Sequence, residues 1–252
     1  MRRPTVAVCG LGLVGGSLAR ALAKRGYVVV GVDRPGPLRR AIASRAIARR
    51  ARLEAAVAEA GVVVLAAPPA ANLRLLRRVA RRARPGLVVT DVTSVKRPIV
   101  REARLLRLDG FVGGHPMAGR ESSGFDAGSA DLFRGRPWIL TGGAPRAVAA
   151  VRRLVLATGA RPVAMGAPEH DHVMARLSHL PQIVAWALLD VARHDRKSAR
   201  RLSLAGPGFR DMTRLARSPR RLWRDILSAN RDEVARALRV LSAGLSPRRL
   251  WR

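Results

Sequence analysis

Over the first two thirds of the chain the apolar positions alternate between two rhythms. Short, nearly continuous β-branched runs at Thr5 to Cys9, Tyr27 to Asp33, Gly61 to Ala66, Leu87 to Asp91, Phe111 to Gly113, Pro137 to Leu140 and Arg161 to Met165 have the length and composition of buried strands. Between them, Ser17 to Lys24, Ala70 to Ala83, Lys96 to Leu105 and Pro145 to Ala157 carry apolar residues at helical spacing. The alternation predicts an α/β fold, a mostly parallel sheet with helices on both faces. From Pro168 onward the pattern changes, because Met174 to Arg193 and Pro219 to Leu241 are long helical runs with no strand between them. A boundary near Gly166 then separates a first domain, residues 1–166, from a smaller all-α domain, residues 167–252. The second domain carries Trp186, Leu188, Leu189, Val191, Trp223, Ile226 and Leu227, more apolar surface than a short bundle hides alone. Homodimerisation through it is the expectation, and burial within one subunit is the alternative.

At 252 residues and 48% hydrophobic content the chain can bury a sizeable core. No apolar run is long enough to span a bilayer, and Met1-Arg2-Arg3 leads straight into a strand pattern without a cleavage signal, so a cytoplasmic protein without membrane contact is expected. The single Cys9 lies inside the first strand run, which excludes internal disulfides and reads as a small buried hydrophobe. A formal charge of +31 invites a nucleic-acid reading. All but three of the 48 basic residues are arginine, however, and they are spread through nearly every predicted helix rather than gathered in an arm or tail. Solvated helix faces, and no nucleic-acid partner, are the expectation.

Two segments bring chemistry into this frame. The first is Gly10-Leu11-Gly12-Leu13-Val14-Gly15, between the first strand run and a helical run. Gly10 and Gly12 permit a tight turn and close approach of a pyrophosphate, Gly15 lets the helix pack on the strand, and the helix N-terminus faces the phosphates. That is the fingerprint of a Rossmann-type dinucleotide-binding domain. Asp33, ending the second strand run, would accept hydrogen bonds from the adenosine ribose and favour NAD; Arg34 beside it could pair with a 2′-phosphate, which keeps NADP open. The second segment places His115 between a glycine pair and a proline at a strand exit, where a proton-accepting imidazole is expected. The cluster His170-Asp171-His172 lacks the i, i+4 pairing of a helical metal site; no metal is expected, and His170 and Asp171 read as the start of a long helix.

Taken in order, GLGLVGGSLA at 10–19, SVK at 94–96, GGHPMAG at 113–119, ESSG at 121–124, LF at 132–133, HD at 170–171, SHLP at 178–181 and GFRDMTRLARS at 208–218, followed by Trp223 and Asn230, closely resemble the prephenate and arogenate dehydrogenase family of tyrosine biosynthesis. The resemblance implies NAD-dependent oxidative decarboxylation of a cyclohexadiene. It implies that His115 accepts the substrate hydroxyl proton, that Ser94 positions this hydroxyl or the nicotinamide, and that Arg214 grips a substrate carboxylate. Glu121, Ser178, His179, Asp211, Ser218 and Trp223 match positions that line or brace the family's site.

Three departures qualify this picture. Gln182 stands where many members carry a second histidine, so the pocket presents an amide that cannot be charged. Arg120 stands where many have serine or threonine, and the chain stops soon after the Asn230 helix, from which reduced dimer contacts are expected. The alternatives are the same chemistry on an amino-substituted prephenate in secondary metabolism, and a catalytically inactive, basic NAD-binding protein.

Overall fold

The computed structural model describes residues 3–120, 122–194 and 196–245. Its contacts group into two units, residues 1–170 and 171–252.

The N-terminal unit is an eight-stranded sheet of β1 (Val6–Cys9), β2 (Val29–Val32), β3 (Arg49–Arg50), β4 (Val62–Leu65), β5 (Val88–Asp91), β6 (Phe111–Pro116), β7 (Pro137–Thr141) and β8 (Arg161–Ala164). The spatial order is β3-β2-β1-β4-β5-β6-β7-β8, and every pair is parallel except β6 with β7. Along β1, Val6 and Val8 enter one core while Ala7 and Cys9 enter the other. Burial on both faces is why such strands read as unbroken apolar runs rather than alternating ones. Helices α1 (Leu13–Lys24), α2 (Pro35–Ala43) and α6 (Pro145–Ala157) cover the first face through Leu18, Leu38 and Val151. The other face is covered by α3 (Leu53–Glu59), α4 (Pro69–Ala80) and α5 (Arg97–Leu105), through Ala56, Leu76 and Ile99. Each such Leu or Val contributes roughly 1.5–3 kcal/mol by leaving water. Burial pushes the Cys9 thiol up to about 12, which makes it the inert apolar residue its position implied.

All seven predicted strands and the four predicted helices of this unit are present, and α2, α3 and β3 add to them. α2 begins Pro35-Gly36-Pro37, a composition that reads as loop, yet proline in a first turn forfeits only an amide that has no intrahelical partner. β3 is two exposed arginines whose only strand character is their ladder with Val30 and Gly31.

Helix α7 (Ala167–Met174) is followed by a π-helical turn (Ala175–His179) and α8 (Leu180–His194), then α9 (Arg196–Arg200), α10 (Pro207–Thr213), a 3₁₀ turn (Arg214–Arg217), α11 (Arg220–Ala229) and α12 (Arg231–Gly244). Two predicted helical runs are thus corrected. The Met174 to Arg193 run widens into the π turn, and the Pro219 to Leu241 run breaks at Asn230, whose backbone is non-helical and whose side-chain Nδ2 donates to the Asp171 carbonyl at 2.7 Å. The apolar core of the C-terminal unit is small, Ala175, Val234 and Ala237 with Leu180, Ile183, Leu227 and Leu238 packed on it.

Candidate active site

The chain leaves β1 and turns to β2 on one side, then crosses to β4 on the other, so the strand order reverses beside the carboxyl end of β1. Ligands of open α/β sheets bind at such a switch point. The glycine loop lies there. Gly10 has φ +104°, and a Cβ on it would meet the Ala66 backbone at 2.6 Å. A Cβ on Gly15 would fall 1.9 Å from the Gly10 carbonyl oxygen. Gly12 has nothing within 4 Å of where a Cβ would stand, which leaves a cradle of open space at the start of α1. No side chain caps that helix, so the first-turn amides, Leu13, Val14 and Gly15 among them, suit an anionic group. Asp33, just beyond β2, accepts from the Leu11 amide through Oδ2 and from the Arg34 amide through Oδ1 at 2.6 Å. Its carboxylate is therefore fixed against the loop with lone pairs left for ribose hydroxyls. The Arg34 side chain is exposed. These residues fit a dinucleotide.

The loop geometry separates two kinds of glycine. Gly15→Ala is expected to cost about 1–3 kcal/mol of stability through overpacking, read as a lowered thermal midpoint. Gly12→Ala should leave the midpoint unchanged and weaken dinucleotide binding.

At the carboxyl end of β5 a fully buried ion pair organises the next part of the site. Lys96 Nζ contacts Asp91 Oδ2 and donates to Thr93 Oγ1 at 2.9 Å and to the Gly114 carbonyl at 2.6 Å. Asp91 in turn accepts from the Gly114 amide at 3.0 Å and from the Thr93 amide at 2.8 Å. Both polar groups of the Gly114 backbone are thereby clamped, and the half-buried Ser94 sits in the turn between Thr93 and Lys96. Gly114 is also required sterically, because a Cβ there would lie 2.4 Å from the Asp91 carbonyl oxygen. His115 follows on β6, opposite Ile139 of β7, and is buried. Its Nδ1 lies 2.8 Å from Nε2 of the buried His170. The sequence reading did not anticipate Asp91, Lys96 or the His170 contact. One signal was present: position 96 holds one of only three lysines in an arginine-rich chain, and a compact ammonium reaches three converging acceptors where a planar guanidinium does not.

In the C-terminal unit, Ser178 and His179 lie on the π turn, a distortion found often at functional sites. His179 is buried, with Asn230 3.3 Å from its Nδ1 and the Trp223 ring edge-on at 6.1 Å. Gln182 is buried and donates through Nε2 to the Leu215 carbonyl at 2.8 Å, tying α8 to the turn that begins at Arg214. Its amide oxygen is also buried and has no hydrogen-bond partner among the described residues. Arg214 and Asp211 are exposed and Ser218 is half-buried. Glu121 lies outside the described residues. The rings flanking Asp171 serve separate contacts, His170 with His115 and His172 with Glu233 at 3.0 Å.

Comparison with known proteins gives a consistent picture. A family model described as prephenate dehydrogenase, nucleotide-binding domain, matches residues 18–164, and one described as prephenate dehydrogenase, dimerization domain, matches residues 166–245. Prephenate dehydrogenase of Bacillus subtilis is 36% identical over 245 residues, which are 92% of this chain and 66% of that protein. The chain thus spans slightly under two thirds of that relative's length. Cyclohexadienyl dehydrogenase of Zymomonas mobilis is 34% identical, over 89% of this chain and 80% of its own. Among solved structures, prephenate dehydrogenase from A. aeolicus in complex with hydroxyphenyl propionate and NAD+ superposes with a TM-score of 0.90 at 30% identity, covering 97% of this chain and 89% of that one.

Proposed function

Because the chain belongs to the prephenate dehydrogenase family, we propose that it catalyses the NAD-dependent oxidative decarboxylation of prephenate to 4-hydroxyphenylpyruvate, or of arogenate to tyrosine, in tyrosine biosynthesis. The observation that carries the reading is a shared edge. The glycine loop after β1, Asp33 after β2, Ser94 after β5 and His115 at the end of β6 all lie at the carboxyl ends of parallel strands.

In this reading residues 1–166 hold the dinucleotide, with Asp33 on the adenosine ribose and the α1 N-terminus on the pyrophosphate. When bound, the nicotinamide supplies the acceptor for the hydride that leaves the hydroxyl-bearing ring carbon. His115 takes the hydroxyl proton as the carbonyl forms, and Ser94 orients the hydroxyl. The ring carboxylate departs as carbon dioxide, a loss that aromatisation makes strongly downhill. What remains for the protein is orientation and charge. Arg214 supplies a planar fork for a substrate carboxylate; Ser178, His179, Gln182, Asp211, Ser218 and Trp223, with Glu121, brace or line the substrate position. Arg214→Gln is expected to raise KM about tenfold or more, the effect of losing a charge-assisted hydrogen bond, with kcat less affected. An unchanged KM in steady-state kinetics would remove Arg214 from this role.

A homodimer formed through residues 167–252 in the cytoplasm completes the proposal. Its physical support is the small core of the C-terminal unit beside large apolar side chains left exposed, Leu177, Val191, Leu204, Met212 and Val240. No helix among the described residues is long and apolar enough to cross a membrane.

The test is reduced-cofactor absorbance from purified protein given prephenate and arogenate separately, each with NAD and with NADP. Turnover in any mixture supports the reaction class, and the ratios settle substrate and cofactor. Silence in all four from folded protein, with turnover of an amino-substituted prephenate, would move the assignment to secondary metabolism. Silence there too would leave an inactive dinucleotide-binding protein.

A further inference from the structure

We infer that His170 is the positioning residue that sets the tautomer of His115, holding its proton on Nδ1 so that Nε2 is the basic nitrogen. The inference rests on the proposed role of His115 as proton acceptor.

The geometry is an imidazole-to-imidazole hydrogen bond, Nδ1 of His115 to Nε2 of His170 at 2.8 Å, with the rings edge-on at 66°. Both rings are buried, His115 8% and His170 0% exposed. In the neutral pair one proton lies between the two nitrogens, and there are two ways to place it. If His170 donates, His115 carries its own proton on Nε2 and has no lone pair there to receive another. If His115 donates, Nε2 of His115 is left as an acceptor. Only the second arrangement allows His115 to take a hydroxyl proton through Nε2.

The backbone around the pair leaves little freedom to escape this choice. β6 is fixed by its ladder to β7 and by the Asp91 and Lys96 clamp on Gly114, one residue before His115. His170 is fixed in the first turns of α7, its amide bonded to the Gly166 carbonyl at 2.8 Å. When His115 has taken the proton, its Nδ1–H still points at the Nε2 lone pair of His170, which keeps the ring oriented as the carboxylate does in a serine protease triad, though without that group's negative charge. No group leaves and no electron moves in this step. One proton passes from the hydroxyl oxygen to Nε2 of His115.

The test is the imidazole nitrogen NMR spectrum of the full chain with ¹⁵N-labelled histidine, assigned with single-histidine variants, in wild type, His170→Leu and His170→Gln. The Nδ1–H form of His115 is expected in wild type and lost in His170→Leu. His170→Gln should restore it, because an amide oxygen accepts the same proton. Turnover should follow, with kcat down about 10²-fold in His170→Leu, recovered to within about tenfold of wild type in His170→Gln, and KM for NAD changed less than threefold in both.

An Nε2–H form of His115 in the wild type would overturn the inference, and that spectrum needs no variant to fold. An unchanged tautomer in folded His170→Leu would overturn it as well, whatever happens to kcat. If the wild type turns over neither prephenate nor arogenate, the proposed function fails, while the spectra still decide what His170 does to His115.

Discussion

His115→Asn is expected to lower kcat by about 10²–10⁴-fold, the range spanned by a positioned general base, while NAD binding stays within a few-fold of wild type. The separation is physical. The dinucleotide contacts assigned above come from Gly10, Gly12, Gly15 and Asp33, none of which bonds to His115. Asparagine is smaller than histidine and keeps a polar group near Nδ1, so β6 has no steric reason to move. Calorimetric titration with NAD, set beside initial rates, checks both halves. Turnover within a few-fold of wild type would remove His115 from proton transfer; lost NAD binding would mean that the substitution disturbed the sheet edge rather than the chemistry.

Lys96→Met carries the largest expected effect on stability. Breaking a buried pair by removing one partner typically costs about 3–5 kcal/mol, and here both partners are fully buried. Methionine fills a similar volume but leaves the Asp91 carboxylate without its cation and the Gly114 carbonyl without its donor. The urea midpoint should fall accordingly, and kcat should fall with it, because the residue next to His115 is no longer held. A second substitution discriminates the cause. Asp91→Asn together with Lys96→Met removes the buried charge, so the double variant should be more stable than Lys96→Met alone. If the double variant is instead the less stable by the sum of both losses, the pair contributes through packing and not through charge compensation.

Much of this molecule was legible before its structure, and for identifiable reasons. Strands buried on both faces announce themselves as β-branched runs, and Val6 to Cys9, Val62 to Leu65 and Val88 to Asp91 all do so. Two glycines of the first loop answer a local geometric demand, the positive φ and close backbone at Gly10 and the 1.9 Å approach at Gly15, while Gly12 was legible only from the spacing of the motif. The family motifs likewise drew attention to Ser94, His115 and Arg214 as stretches of text.

What pattern reading could not supply was pairing between distant residues. Nothing in His170-Asp171-His172 says that the first ring reaches back 55 positions to His115, whereas the third turns to Glu233. Local preference predicted only a helix start there; α7 in fact begins three residues earlier, at Ala167, and the preference is silent about the ring. The break at Asn230 and the π turn at Ala175–His179 have the same origin. Each departs from the regular helix that local periodicity predicts, and Asn230 reaches Asp171, far away in sequence, through its side chain. β3 exists only because Val30 and Gly31 offer it a ladder.

The sequence by itself therefore determined the α/β architecture, the dinucleotide loop and the family, because these follow from periodicity, backbone freedom and contiguous motifs. The tertiary structure alone decided the Asp91 and Lys96 clamp, the His115 and His170 pair and the bond from Gln182 to Leu215. Hydrogen-bond partners of buried groups are chosen by which strands and helices become neighbours, and that choice is made in space rather than along the chain.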